Sequence, residues 1–373
     1  MHASRSFSWH TSTRWLSRRL LRAAPPKAWS LGLGVALVGA AACGSSDADP
    51  KVEVAAAMQK TMQADLTTLH ASSQELCAAA PQAAGRGWDA TLDATNLAAM
   101  KAAWIKARTA YEHVEGATAP VFSDLDASID ERYDGFLADE GPDTDLFDDQ
   151  GVTGLHAIER ILYVDVTPAA VVAFEKSLPG YVAARFPATE QEASSFKNKL
   201  CARLVTDTAS LLTQWTPKLI DVSGAFTGLI GLAKEQQEKV NKAATGEEES
   251  RYSQRTMADL RANLEGTRTI YGLFRNWLRS KTATTPTGAQ VDEAIEAGFT
   301  QLAGVYASVS GDAIPQPPAT WSAETPSSAD LATPFGTLYE AVRHAVDPKE
   351  PTSIVAQMNQ GANLLGVPVS VEE

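Results

Sequence analysis

His156 and Glu159 lie three positions apart in Gly154-Leu-His-Ala-Ile-Glu159. On a helix this spacing puts an imidazole and a carboxylate on one face, a turn apart. Leu155, Ile158, Ile161 and Leu162 make the same helix apolar enough to be mostly buried. An unpaired buried carboxylate is costly, so the pair needs a partner. A bound metal ion is one solution and a structural hydrogen bond is the other, and the spacing alone does not choose between them. More acids stand nearby in sequence. Glu112 and Glu115 lie three apart in Tyr111-Glu-His-Val-Glu115. Asp124, Asp126, Asp130 and Glu131 run up to Arg132, and Asp259, Asn263 and Glu265 sit among apolar residues. Carboxylates and an imidazole aimed inward from several helices are how bundles build oxygen-rich metal sites. Such donors suit iron, manganese or zinc rather than soft metals. His113 points away from Glu112 and Glu115, and His70 lacks an acidic partner at useful spacing; these and His344 read as surface or structural residues.

The elements that must carry these side chains read as helices. Apolar residues recur at helical spacing over 52–80, where Val54, Met58, Met62, Leu66, Leu69 and Leu76 form one stripe. Similar stripes predict helices over 91–116, 122–137, 151–163, 188–215, 218–244, 251–280, 289–308, 329–345 and 354–365. An acidic loop at 138–150 runs into the His156 helix, and Gly246-Glu-Glu-Glu-Ser250 reads as a charged turn. Gly311 to Ser328 is Pro-rich and reads as an extended surface crossing. About ten helices with short connections and little strand signal predict an all-α protein built of bundles. The natural break at Trp215-Thr-Pro217 divides it into halves at 53–215 and 216–373. Trp104, Trp215 and Trp277 read as core.

The chain has 373 residues, and its start is set apart. Residues 1–42 carry six Lys or Arg and no acid, then an apolar run from Leu31 to Ala42, the pattern of a secretory signal. Ala40-Ala-Ala-Cys43-Gly44 resembles a bacterial lipobox, which makes Cys43 a candidate lipidation site and 43–52 a tether. Ser17-Arg-Arg-Leu-Leu21 resembles a twin-arginine signal. These features predict an exported, membrane-anchored lipoprotein facing the periplasm or the cell surface. Beyond residue 42 there are 26 basic and 45 acidic residues, a net charge of −19. That field repels nucleic acid and attracts cations. Two cysteines remain, Cys77 and Cys201, and outside the cytoplasm such a pair is a candidate disulfide.

Four segments together resemble the imelysin-like family, which includes EfeO- and EfeM-type iron-uptake components and the imelysin peptidases. They are Trp104-x-x-Ala-Arg108-x-x-Tyr111-x-x-x-Glu115, Ile129-Asp130-x-Arg132, Gly154-x-His156-x-x-Glu159-x-x-Leu-Tyr163, and Met257-Ala-Asp-Leu-x-Ala-Asn263-x-Glu265-Gly266. The resemblance spans roughly residues 53–365. It implies a two-bundle all-α fold with the G-x-H-x-x-E motif at a cleft, and binding of a metal ion, iron foremost, with zinc or another divalent cation as alternatives. It implies His156, Glu159, Glu115, Asp130 and Glu112 as metal ligands, Arg132 as the charge partner of Asp130, and Glu265 as a supporting residue. It also implies delivery of the metal to a membrane permease or a peroxidase partner.

Two other readings use the same residues. A metal held by His156 and carboxylates can activate water for peptide hydrolysis. Catalytic zinc sites, however, are usually richer in His, and the chain contains no H-E-x-x-H. No G-x-S-x-G motif or Cys/His pairing supports a serine or cysteine nucleophile. A helical surface receptor or adhesin, with His156 purely structural, is the third reading. Metal capture predicts affinity that falls below about pH 6, because the imidazole must be neutral to coordinate.

Overall fold

Asp49 starts the first helix by accepting a hydrogen bond from Lys51 N, with Pro50 at the first helical position. That helix, α1 (Pro50–Ala79), buries the stripe from Val54 to Leu76. The computed structural model describes residues 49–82 and 84–368; the export segment, Cys43 and most of the tether lie outside the described residues. All regular structure among the described residues is helical, as the apolar periodicity predicts. The remaining α-helices are α2 (Ala94–Glu112), α3 (Glu115–Thr118), α4 (Ser123–Asp130), α5 (Tyr133–Asp139), α6 (Gly154–Leu162), α7 (Ala169–Lys176), α8 (Glu190–Ser195), α9 (Ala202–Gln214), α10 (Val222–Lys242), α11 (Thr256–Gly272), α12 (Arg275–Arg279), α13 (Gly288–Ser308), α14 (Ser328–Leu331), α15 (Pro334–Val346) and α16 (Ile354–Leu365).

In the first part of the chain α1 packs on α2 and α9, with α4 and α6 laid across them. In the second, α10 packs on α11, α15 and α16, and α13 packs on α11 and α16. The two sets meet where α11 packs on α2 and α10 on α3. Between α8 and α9 the helix widens into a π turn, Phe196–Cys201, that buries Cys201. There Cys201 is joined to Cys77 of α1 in a disulfide with a Cα–Cα distance of 5.6 Å.

Several helices end earlier than their apolar stripes do. The run 122–137 is two helices, because Glu131 and Arg132 are extended, with ψ of 133° and 149°. The run 91–116 breaks at His113 and Val114, and residues 251–255 are a turn before α11. Gly224, Gly228 and Gly231 lie inside α10. A side chain on Gly228 would collide with the Gly116 carbonyl, so this glycine lets α10 approach α3.

The break after Asp130 serves the His156 helix. Gly154 starts α6 with φ of +81°, which an L side chain rarely adopts, and a Cβ there would overlap the Ile129 carbonyl oxygen. Trp104, fully buried on α2, donates its indole N–H to Leu155 O at 2.9 Å and holds the same turn from the other side. The glycine of the motif is therefore a packing requirement. Gly154→Ala is expected to destabilise the protein by about 3 kcal/mol, from backbone strain and overpacking combined. Urea unfolding checks this, and an unchanged midpoint would refute the packing role.

Candidate metal centre

Asp130 ends α4, His156 lies in the first turn of α6, and Glu249 comes from the loop between α10 and α11. One donor atom from each lies within 4.8 Å of the other two. His156 Nε2 is 3.5 Å from Asp130 Oδ1 and 3.4 Å from Glu249 Oε1. This nitrogen is buried and has no hydrogen-bond partner. On the ring's other side, His156 Nδ1 lies 3.2 Å from Glu159 Oε2. Glu159 Oε1 in turn accepts a hydrogen bond from Ser253 N at 2.8 Å. The H-x-x-E pair therefore does not converge on one point. Glu159 binds the back of the imidazole and aims its front at Asp130 and Glu249.

The carboxylates are held by buried cations. Arg108 of α2, 1% exposed, ion-pairs with Asp130 and with Glu112 one turn further along its own helix. The same guanidinium reaches Glu249 Oε1 at 3.2 Å and lies 3.7 Å from Asp259 Oδ2. Lys239 of α10 lies 3.4 Å from Glu249 Oε2 and 3.6 Å from Glu115 Oε2. Asn263 links the next layer, donating to Glu115 Oε2 at 2.9 Å and to the Glu112 carboxylate and backbone carbonyl.

These contacts set the protonation of the cluster. Burial pulls the His156 imidazole down, and Arg108 adds to that, but Asp130, Glu159 and Glu249 outweigh both and raise it to about 9. Burial raises Asp130 to about 6 against the pull of Arg108 and His156. Burial also pushes Glu112 well above the usual carboxylate range, despite Arg108. Glu249 goes the other way: Lys239, His156, Arg132 and Arg108 together overcome its burial and hold it well below that range.

Of the residues expected to form the site, His156 and Asp130 meet directly. Glu159 stands behind His156, while Glu112 and Glu115 are bound up with Arg108, Asn263 and Lys239. The charge partner of Asp130 is Arg108, and no hydrogen bond joins Arg132 to Asp130 among the described residues. Arg132 follows Asp130 in extended backbone, and its field acts on Glu249 instead. Glu265 is exposed and 3.9 Å from His113 on the outer face of α11, outside the cluster. His113 bonds Asp65 at 3.1 Å, and His70 bonds Thr208 at 3.2 Å. Glu249 and Lys239 were missed. The charged turn that holds Glu249 reads as solvated surface, yet Glu248, Glu249, Ser250 and Arg251 are all buried.

The imelysin family model matches residues 54–327. The chain belongs to the imelysin family. Among curated relatives it is similar to the iron uptake system component EfeO of Escherichia coli K12, at 27% identity over 188 residues. The EfeO component of Shigella flexneri matches equally. Each alignment covers 50% of this chain and 40% of the relative, so the match spans well under half of the relatives' length. In structure, an imelysin-like protein from Psychrobacter arcticum 273-4 superposes with a TM-score of 0.56 at 13% identity. That likeness covers 87% of this chain and 98% of the other and shows the shared all-α fold.

The loop that delivers Glu249 is pinned to the first part of the imelysin fold at three points. Arg251 ion-pairs with Asp134, Tyr252 Oη donates to Glu175, and Ser253 N bonds Glu159. Arg251 is 1% exposed, and its pull holds Asp134 down at about 2, against burial. Arg251→Met is expected to cost about 3 kcal/mol, because it leaves Asp134 poorly solvated and unpaired. Adding Asp134→Asn should restore part of that. The pair's contribution is present above the ordinary Asp value of 3.8 and lost as pH falls through about 2. Urea titrations of wild type and double variant should therefore converge between pH 4 and 2, and a gap independent of pH would contradict this account.

Proposed function

We propose that this imelysin-family chain captures a metal ion, iron foremost, at His156 Nε2, Asp130 and Glu249, and serves metal uptake outside the cytoplasm. The observation that carries the reading is the buried His156 Nε2, which faces carboxylate oxygens of Asp130 and Glu249 at ion-pair distance but makes no well-formed hydrogen bond to either. Buried polar atoms normally have partners, and a cation at this point would bond all three donors at once. The donor set of one imidazole and two carboxylates suits a borderline or hard ion such as ferric or ferrous iron or zinc. The name of the EfeO relatives, an iron uptake component, favours iron among these.

The remaining residues have roles around that ion. Glu159, fixed by Ser253 N, holds the imidazole so that Nε2 is the free nitrogen, as carboxylates commonly do behind metal-bound histidines. Arg108 and Lys239 offset the charge of the neighbouring acids. Cys43 tethers the chain to a membrane as a lipoprotein, and a membrane permease or a peroxidase receives the metal. Among the described residues no helix is long and apolar enough to cross a membrane, so the lipid anchor would supply the attachment. A single imidazole among carboxylates fits reversible capture better than zinc-dependent peptide hydrolysis, whose sites are usually richer in His.

The test is direct binding of zinc and of ferric citrate, followed by calorimetry and thermal unfolding. His156→Ala and Glu249→Gln should each weaken binding by at least about tenfold, in the range seen when site residues are lost. Unaltered binding in both variants would overturn the assignment.

The pH dependence follows from the shifts. Without metal, His156 keeps its proton up to about 9. Coordination must displace that proton, so zinc affinity should rise about tenfold per pH unit between pH 6 and 8.5, with about one proton released. Below about pH 6 Asp130 is protonated as well, and the slope should steepen. Proton release measured by calorimetry in two buffers checks this. Affinity that is flat from pH 6 to 8.5 would remove His156 from the ligand set.

A further inference from the structure

We infer that Lys239 is a tethered cation that competes with the cargo for Glu249, and so sets how tightly the metal is held. The inference rests on the metal-capture reading above and concerns a residue outside the ligand set.

Glu249 divides its two oxygens. Oε1 faces His156 Nε2 at 3.4 Å and is the oxygen a metal would take. Oε2 faces Lys239 Nζ at 3.4 Å. The same ammonium lies 3.6 Å from Glu115 Oε2 and 3.3 Å from Asn263 Oδ1, so three oxygens surround it. Lys239 is only 6% exposed, and water does little to screen it. Its position has two physical consequences. A metal that grips Glu249 through both oxygens must first displace the ammonium. A metal that uses Oε1 alone still feels a full positive charge just beyond the carboxylate. Both effects weaken cation binding, and the second grows with the charge of the ion.

Arg108 is a cation near the same carboxylate, but its role differs. It ties Asp130, Glu112 and Glu249 together across three elements, and losing it would strand several buried acids. Lys239 reaches the site on a long stem from α10 and is a compact point charge rather than a rigid fork, so it ties fewer elements together. A carrier that must hand its metal on needs an affinity that is high but not final. A tethered competitor supplies that limit from within the protein.

The test compares wild type, Lys239→Gln and Lys239→Met by chelator-buffered competition with zinc and with gallium supplied as its nitrilotriacetate complex. Gallium serves as a trivalent probe without redox chemistry. Thermal unfolding without metal first identifies which variant is folded. Met keeps the length of the stem should Gln fail to hold α10 in place. The inference predicts that the folded variant binds zinc more tightly by at least about tenfold, with a larger gain for gallium, since the removed repulsion scales with ionic charge. A residue that merely positions Glu249 would give the opposite, weaker binding of both ions. Equal or weaker binding in a folded variant overturns the inference while leaving metal capture intact. Wild type that binds neither ion overturns the capture reading itself.

Discussion

The burial of Arg108 is the constraint on which the rest of the centre depends. Its guanidinium is withdrawn from water and meets carboxylates from its own helix, from the end of α4, from the α10–α11 loop and from α11. A buried charge of this kind is tolerated only where opposite charges and hydrogen bonds replace the lost solvent. Each of those elements must therefore stop or turn where it does. Helix α4 ends at Asp130, and the chain turns extended. The loop after α10 dips inward to bring Glu249 and Ser250 under the guanidinium, and Ser250 Oγ then bonds Asp259. The His156 helix enters beside Asp130 because Gly154 permits a backbone approach that no side chain would allow.

Much of this architecture was legible in the sequence, and the reasons for the rest are physical. Long stripes such as Val54 to Leu76 gave the helices, since helical periodicity survives any detail of packing. Helix ends were less legible, because Glu131 and Arg132 carry no glycine or proline to mark their extended backbone. The motif around His156 and the acids at 112, 115 and 130 were visible as residue types at helical spacing. Their grouping was not. Spacing on one helix suggested that His156 and Glu159 share a ligand, whereas Glu159 faces the imidazole's Nδ1 and Asp130 and Glu249 face its Nε2. Arg132 looked like the partner of Asp130 because it is two residues away. Arg108, 22 residues earlier, takes that place because it lies on a neighbouring helix face.

Glu249 was the least legible member. A Gly-Glu-Glu-Glu-Ser turn has the composition of solvated surface, and only tertiary contacts bury it. The one hint was the run that follows. Arg251 and Tyr252 bring a guanidinium and a phenol next to a turn, which is useful only if the turn is anchored. Gln254 adds a second sign, with φ of +57° held by bonds from its amide to Glu248 and to the Arg251 carbonyl. A non-glycine residue persists in that region when its surroundings over-determine it. The loop is thus a fixed arm that holds Glu249 beside His156.

That rigidity bears on how such a centre can release what it binds. In structural zinc sites the metal supplies the charge compensation, so folding and binding are one event and the ion cannot leave without loss of structure. Here Arg108, Lys239 and His156, whose imidazole its acidic neighbours raise to about 9, face Asp130, Glu112, Glu115, Glu159, Glu249 and Asp259. The internal cations offset the cost of burying these acids, and burial pushes the Glu112 carboxyl well above the usual carboxylate range. On the proposed reading, a cation held by His156, Asp130 and Glu249 would exchange with the His156 proton, because the internal cations already offset the neighbouring acids. Return of that proton would then favour release. The same charges that let the fold bury so many acids would make the proposed grip on a metal reversible.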